Sequence, residues 1–205
     1  IFKELTKSSS ALTMFQLDQL RVFFLTRHLS LLEAIKEVKK EKVYQFLFEM
    51  DQYLNSIGLF SARIAVAALN PHGGENGLLG QEEMREIIPA INDSRKHGIN
   101  VKGIYPADSI FWFARQGRYD AVLSLYHDQG HIATKCMDFY GTVSVTLGLP
   151  FIRTSPDHGT AFDIAGQGKA NYRSMAESCR WAVEYALAYR DFIKRTSGKK
   201  ESDWD

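Results

Sequence analysis

The chain reads as an α/β protein, and three observations predict it. Short apolar runs rich in β-branched and aromatic residues, as at 20–26 and 62–69, alternate with longer segments of helical period, as at 43–54. Several runs are apolar throughout, as strands covered on both faces are. Several also stop in a burst of polar groups, as strands do where an open α/β sheet meets its ligand crevice. With 205 residues, 45% hydrophobic and 24% charged, the chain is long enough to bury a real core. It contains no repeat or low-complexity linker. The expected organisation is one unit over residues 1–196 and a polar tail over 197–205.

Taken in order, the first dozen residues lack an initiating methionine and the basic-then-apolar order of a signal peptide, and read as the middle of something. Residues 20–26 are a strand that ends at Arg27 and His28. Ser30 with Glu33 has capping-box spacing and predicts a helix start. After a lysine-rich gap at 39–42, a second helix carries Val43, Phe46, Leu47, Met50 and Leu54 at helical spacing and ends at Gly58. Residues 62–69 are a buried strand running into a loop over 70–77. Residues 81–97 predict a helix closed by Gly98, with Met84, Ile87, Ile88 and Ile91 on one face and a kink at Pro89. Residues 101–105 are a short strand, 110–115 a short helix ending near Gly117, and 120–125 a strand. A polar loop follows, in which Gly130 is expected to let the backbone turn. A strand over 141–147, a strand-like run over 151–155 and a helix over 172–194 complete the chain.

Composition narrows the function classes. A formal net charge of +1 offers no field for nucleic acid or a membrane surface, though a local basic pocket for a small anion is compatible with it. No run approaches the roughly 20 apolar residues that span a bilayer. Cys136 and Cys179 are too few for a disulfide scaffold and lack CxxC spacing, which points to a reducing, cytoplasmic setting and argues against cysteine-held zinc. The GxGxxG fingerprint is absent, and Gly73, Gly74 and Gly77 lack the spacing and the lysine of a P-loop.

The chemistry concentrates in residues 126–135, Tyr-His-Asp-Gln-Gly-His-Ile-Ala-Thr-Lys. A neutral imidazole binds metal or carries a proton, and a neighbouring carboxylate such as Asp128 orients it. His127, Asp128, Gln129, His131 and Lys135 are therefore expected at the site; the plain alternative is a polar loop with hydrogen-bonded histidines. Three clusters, Arg27-His28, Pro71-His72 and His127-Asp128, each follow a predicted strand. If those strands are neighbours, three imidazoles meet at one edge, enough to hold a divalent metal with positions open for substrate. His97 falls at a helix end, as a dipole partner or a solvated side chain, and His131 is expected behind the ligands. Lys135 and Arg153 suit an anionic substrate, the guanidinium through its planar fork, or are solvated surface cations. Asp108 is a helix N-cap or a proton-transfer group. Asp157-His158-Gly-Thr160 is a cap and turn or a proton-handling pair.

These residues fall in motifs. Asn70-Pro-His-Gly-Gly-Glu75, Tyr105-Pro-Ala-Asp108, Tyr126-His-Asp-Gln-Gly130, Thr146-Leu-Gly-Leu-Pro150, Ile152-Arg-Thr-Ser155 and Asp157-His-Gly-Thr-Ala161 closely resemble the 4-hydroxythreonine-4-phosphate dehydrogenase family of vitamin B6 biosynthesis, collinearly from about residue 12 to 188. The resemblance implies an isocitrate/isopropylmalate-dehydrogenase-like α/β sheet with helices on both faces. It further implies oxidation of 4-hydroxythreonine 4-phosphate to a 3-oxo acid that decarboxylates, with NAD (or NADP) and a divalent metal (zinc, magnesium or cobalt). A homodimer with its active site at the subunit interface is expected. By motif position, metal falls on His28, His72 and His127, and substrate contacts on Lys135, Ser144 and Arg153. His127 and Asp108 are the expected catalytic groups, Asp108 for proton transfer. Ser144 stands where the family has asparagine. The family's preceding segment, with a substrate-contacting His-Thr pair, would lie before Ile1, so the chain resembles the C-terminal part of a member. Three alternatives stay open: a threonate or erythronate 4-phosphate dehydrogenase, whose branch Gly130-His-Ile resembles equally; an inactive truncated member; and a metal-dependent hydrolase or aldolase on the same histidines.

Overall fold

The computed structural model describes residues 1–197. Its strands are β1 (Leu12–Leu17), β2 (Leu20–Phe24), β3 (Ile64–Ala67), β4 (Val101–Tyr105), β5 (Ala121–Ser124), β6 (Val143–Leu147) and β7 (Arg153–Pro156). Its α-helices are α1 (Phe2–Leu5), α2 (Leu31–Lys36), α3 (Lys40–Ser56), α4 (Ile88–Lys96), α5 (Ala107–Arg115), α6 (His127–Met137) and α7 (Arg173–Ser197). The strands form one seven-stranded sheet in the order β4-β3-β5-β2-β1-β6-β7. β4, β3, β5 and β2 run parallel, whereas β2-β1, β1-β6 and β6-β7 pair antiparallel.

The two halves of the sheet are covered differently, and their sequences differ accordingly. In β3 and β5, Ile64, Val66, Ala121 and Leu123 join the larger core cluster with residues of α3, α4 and α7, while Ala65, Ala67 and Val122 join the smaller one with Ile110, Phe111 and Ala114 of α5. Both faces are buried, so these strands are continuously apolar. In β6 the alternation is strict: Val143, Val145 and Leu147 are buried, and Ser144 and Thr146 are half-buried on the opposite face. On β6 that second face is polar, whereas on β1 it also carries Phe15 of the smaller cluster. α7 covers the first with Trp181 and Tyr185 and leaves Met175, Val183 and Leu187 exposed. No described helix is long and apolar enough to cross a membrane.

Several expectations are corrected. β1 is a strand where none was expected. Residues 81–97 are not one helix with one apolar stripe: Glu83–Ile87 is a π turn that passes into α4 at Ile88, with Pro89 in the first turn of α4. Pro89 has no N–H to give the carbonyl four residues back, and the wider turn rotates the stripe. Ile87, Ala90 and Ile91 are buried, while Met84 and Ile88 are exposed. Residues 127–137 are a helix rather than a loop. Gly130 lies inside it, against β2 and β5, and turns nothing. The expected tail from 197 meets only Ser197, the last residue of α7; its remainder lies outside the described residues.

Candidate functional site

Because β3, β5 and β2 are adjacent and parallel, their carboxyl ends share one edge, and the three histidine-bearing segments leave from it. That edge is laced by hydrogen bonds. Thr26 Oγ1 donates to the Leu125 carbonyl at 2.8 Å. Gln129 accepts from the Leu125 N–H at 2.8 Å and donates to the Ala68 carbonyl at 2.8 Å, so it ties the end of β3 to the end of β5. Gln129 is a staple of the edge.

His127 opens α6. Its Nδ1 meets Asp128 Oδ1 at 2.7 Å, which fixes the ring and leaves Nε2 as the ring nitrogen not engaged by that carboxylate. The His28 ring lies 5.8 Å away, and the His131 ring stacks on His127 at 3.7 Å. His131 also packs against Phe15 and Phe24, and burial pushes its pKa down to about 4, so it is neutral at ordinary pH. His28 and His127, with Thr26, Arg27, Tyr126 and Asp128, line a cleft of about 290 Å³.

His72 sits on a turn over Pro71–Gly77 in which His72, Gly73, Gly74, Glu75 and Asn76 all have positive φ. Left-handed backbone at non-glycine residues costs energy and is held by its surroundings. The holder is Glu83, fully buried in the π turn: Oε1 accepts from the N–H groups of Leu69 (2.9 Å) and Asn70 (2.6 Å), and Oε2 from Asn70 Nδ2 (2.8 Å). A Cβ on Gly74 would stand 2.9 Å from Glu83 Oε2, so the turn closes down on this carboxylate. His72 is exposed and lines a neighbouring cleft with Asn70, Asp108, Tyr126 and Gln129.

The structure therefore assembles the expected metal set in part. His28 and His127 stand together, but among the described residues no three histidine, cysteine or acidic side chains are grouped closely enough to hold an ion. His72 stands in the adjoining cleft because its own turn carries it there. In donor chemistry the three imidazoles fit a divalent cation; in position, two of them do. Asp108 is not the N-cap. Pro106 is, and Asp108 is exposed in the first turn of α5, facing the His72 cleft. His97 caps its helix end as expected, with Nδ1 2.9 Å from the Asp93 carbonyl oxygen.

Of the substrate-side residues, Ser144 and Arg153 lie on β6 and β7, and Lys135 lies on α6. Ser144 pairs in register with Ser155, and Thr146 with Arg153, whose Nη1 donates to Thr146 Oγ1 at 3.3 Å. Lys135 is already engaged, 3.2 Å from Asp157 Oδ2. Burial raises the Asp157 pKa against the pull of that lysine.

Comparison with known proteins decides the family. The model of the family "Pyridoxal phosphate biosynthetic protein PdxA" matches residues 1–182. The chain belongs to the PdxA family. A curated PdxA relative from Halalkalibacterium halodurans, "Putative D-threonate 4-phosphate dehydrogenase", is 58% identical over 183 residues, covering 89% of this chain and 55% of its own. One of the same name from Symbiobacterium thermophilum is 55% identical over 190 residues, covering 93% and 57%. The crystal structure of 4-hydroxythreonine-4-phosphate dehydrogenase from Klebsiella pneumoniae superposes with a TM-score of 0.81 at 43% identity, over 90% of this chain and 57% of that one. The chain thus spans a little over half the length of the relatives it matches. The sheet and its helices are those of the PdxA family fold.

Proposed function

We propose that this chain carries the metal and substrate half of an NAD-dependent dehydrogenase that oxidises the secondary alcohol of a four-carbon, 4-phosphorylated hydroxy acid, with D-threonate 4-phosphate the first choice of substrate. The observation that carries the reading is the pairing of His28 and His127 at the carboxyl edge of three adjacent parallel strands, beside a face of hydroxyls and guanidinium. The choice of threonate over 4-hydroxythreonine follows the names of the curated relatives and the presence of Ser144. The solved neighbour named for 4-hydroxythreonine 4-phosphate supports that compound as the second reading.

A divalent cation would be held by His28 and His127, with His72 reaching it from the adjoining cleft, and would supply Lewis acidity to the alcohol being oxidised. Asp128 holds the His127 tautomer, and neutral His131 packs behind that ring without competing charge. Arg153 and Ser144 bind the anionic end. Asp108, at the mouth of the His72 cleft, takes the alcohol proton. The exposed apolar residues Met175, Val183 and Leu187 of α7 support a homodimer.

The test is a panel of D-threonate, D-erythronate and 4-hydroxythreonine 4-phosphates assayed in parallel for nicotinamide reduction and phosphate release, with metal content measured for wild type and His72→Ala. The expectation is reduction of NAD without phosphate release, and loss of bound metal in the variant. Phosphate release without reduced nicotinamide would establish a hydrolase instead, and full metal content in His72→Ala would remove that residue from the ligand set.

A further inference from the structure

We infer that Arg27 is a substrate-binding residue, which works with Arg153 to seat the phosphate group of the substrate. The inference rests on the phosphorylated hydroxy-acid reading above and adds to it a residue that neither motif nor spacing singled out for this role. Arg27 Nη1 donates to Thr13 Oγ1, and Arg153 Nη1 donates to Thr146 Oγ1 at 3.3 Å. Thr13 and Thr146 are direct cross-strand partners of β1 and β6, and Thr146 is the partner of Arg153 on β7. Side chains opposite one another on antiparallel strands have Cβ atoms about 5 Å apart, so the two guanidiniums are seated on adjacent hydroxyls.

Among the described residues, neither guanidinium pairs with a carboxylate. Arg153 also lies over the Phe2 ring at 5.4 Å, and among the described residues the arginine ion pairs are those of Arg63, Arg115, Arg173, Arg180 and Arg190. Lys135, the cation expected from motif position, already has the Asp157 carboxyl 3.2 Å away. Two like charges held together without an acid repel each other, and an oxyanion between them relieves that repulsion while taking the planar forks of both. A phosphate monoester, carrying up to two charges, matches two guanidiniums better than a carboxylate does. The location fits as well. The amino end of β1, the carboxyl end of β6 and the start of β7 lie at the same edge as the histidines, and Arg27 lines the cleft with His28 and His127. In a 4-phosphorylated 3-hydroxy acid the phosphate ester is on the carbon next to the alcohol, so its seat must adjoin the groups that hold that alcohol.

The experiment is calorimetric titration of the protein with inorganic phosphate and, separately, acetate at fixed ionic strength, for wild type, Arg27→Gln and Thr13→Val, together with their melting temperatures. Arg27→Gln is expected to weaken phosphate binding about ten- to hundredfold with acetate little changed, and Thr13→Val to weaken it several-fold with the charge intact. In turnover, Arg27→Gln is expected to raise KM for the phosphorylated acid by a similar factor with kcat within about threefold. Unchanged phosphate affinity in Arg27→Gln at an unchanged melting temperature overturns the inference. So does a loss confined to acetate, which would put the carboxylate end of the substrate there. Weakened phosphate binding in a protein that reduces no NAD on any of the phosphorylated acids would leave the phosphate seat standing and reject the dehydrogenase reading alone.

Discussion

Replacing Gly130 with alanine sets two opposed effects against each other, and the structure decides between them. In an open helix the change is favourable by about 1 kcal/mol, because alanine loses less backbone entropy than glycine. In α6 the added Cβ would stand 2.6 Å from Phe24 Cε1, 2.8 Å from Val22 Cγ1 and 3.1 Å from Ser124 Cβ. Carbon atoms pack best at about 3.5–4 Å, so the helix must rise from the sheet or the core side chains must leave their rotamers. Val22 and Phe24 are buried and have little room to give. Overpacking of this kind costs about 1–3 kcal/mol, with more expected at three simultaneous contacts, so the net effect is destabilisation by about 1–2 kcal/mol. For a chain of this size that corresponds to a fall in Tm of about 2–8 °C. The neighbouring His131 ring packs on Phe24 and stacks on His127, so the same displacement moves the imidazole pair and is expected to weaken divalent-metal binding. Thermal unfolding by calorimetry, followed by metal titration of the variant, measures both. A Tm equal to or above wild type would refute the claim that α6 is pressed onto the sheet at this glycine.

Three further outcomes follow from other contacts. Asp120 accepts from the Arg63 N–H (2.7 Å), Nε (2.9 Å) and Nη2 (2.8 Å), joining the starts of β3 and β5, and Arg63 holds its carboxyl below the ordinary range. A depressed folded pKa adds stability above the unfolded value, about 3.9, that is lost as pH falls through the folded one. Asp120→Asn should therefore melt about 2–4 °C lower at pH 7 with the gap closing towards pH 3, and a gap unchanged across a calorimetric pH series would reject the pairing as its source. Glu83→Ala leaves the half-buried donors of Leu69 and Asn70 unpaired and should cost about 2–3 kcal/mol, with protease cleavage appearing first within 70–80; protection equal to wild type would mean that Glu83 does not hold the turn. Ser144→Asn should shift kcat/KM between threonate and 4-hydroxythreonine 4-phosphates by about tenfold, and equal effects on both would remove Ser144 from specificity.

Where the sequence was legible, one residue type served one local purpose. The apolar runs of β3 and β5, the Ser30–Glu33 cap and the polar burst after each parallel strand all state their structure within a few residues, and the Ser30 side chain does accept from the Glu33 N–H at 3.3 Å. β1 was hidden because Gln16 interrupts its apolar run; the side chain is fully buried and bonded to Tyr185, far along the chain. The helix at 127–137 was hidden because the strand passes into it through Tyr126, an N-cap with no capping side chain to announce it. The π turn is hidden because the apolar residues on either side of Pro89 also fit a continuous 3.6-residue period.

The same distinction separates the parts of the site. Histidines advertise themselves by type, so His28, His72 and His127 stand out in the sequence as candidates, and the structure brings His28 and His127 together. What keeps His72 in the adjoining cleft is Glu83, whose partners lie 13 and 14 residues away, and nothing in an acidic pair on a helical stretch distinguishes a buried clamp from a solvated face. Arg27 is similar: beside His28 it reads as punctuation at a strand end, and only the register of β1 on β6 puts its hydroxyl partner next to that of Arg153. Residues that perform chemistry are restricted to a few side-chain types, whereas residues that position them need only the right neighbour across the sheet. In this chain those neighbours are set by strand order. A substitution that slipped β1 against β6 by one residue would therefore turn Thr13 to the opposite face and separate Arg27 from Arg153 without replacing His28, His72 or His127.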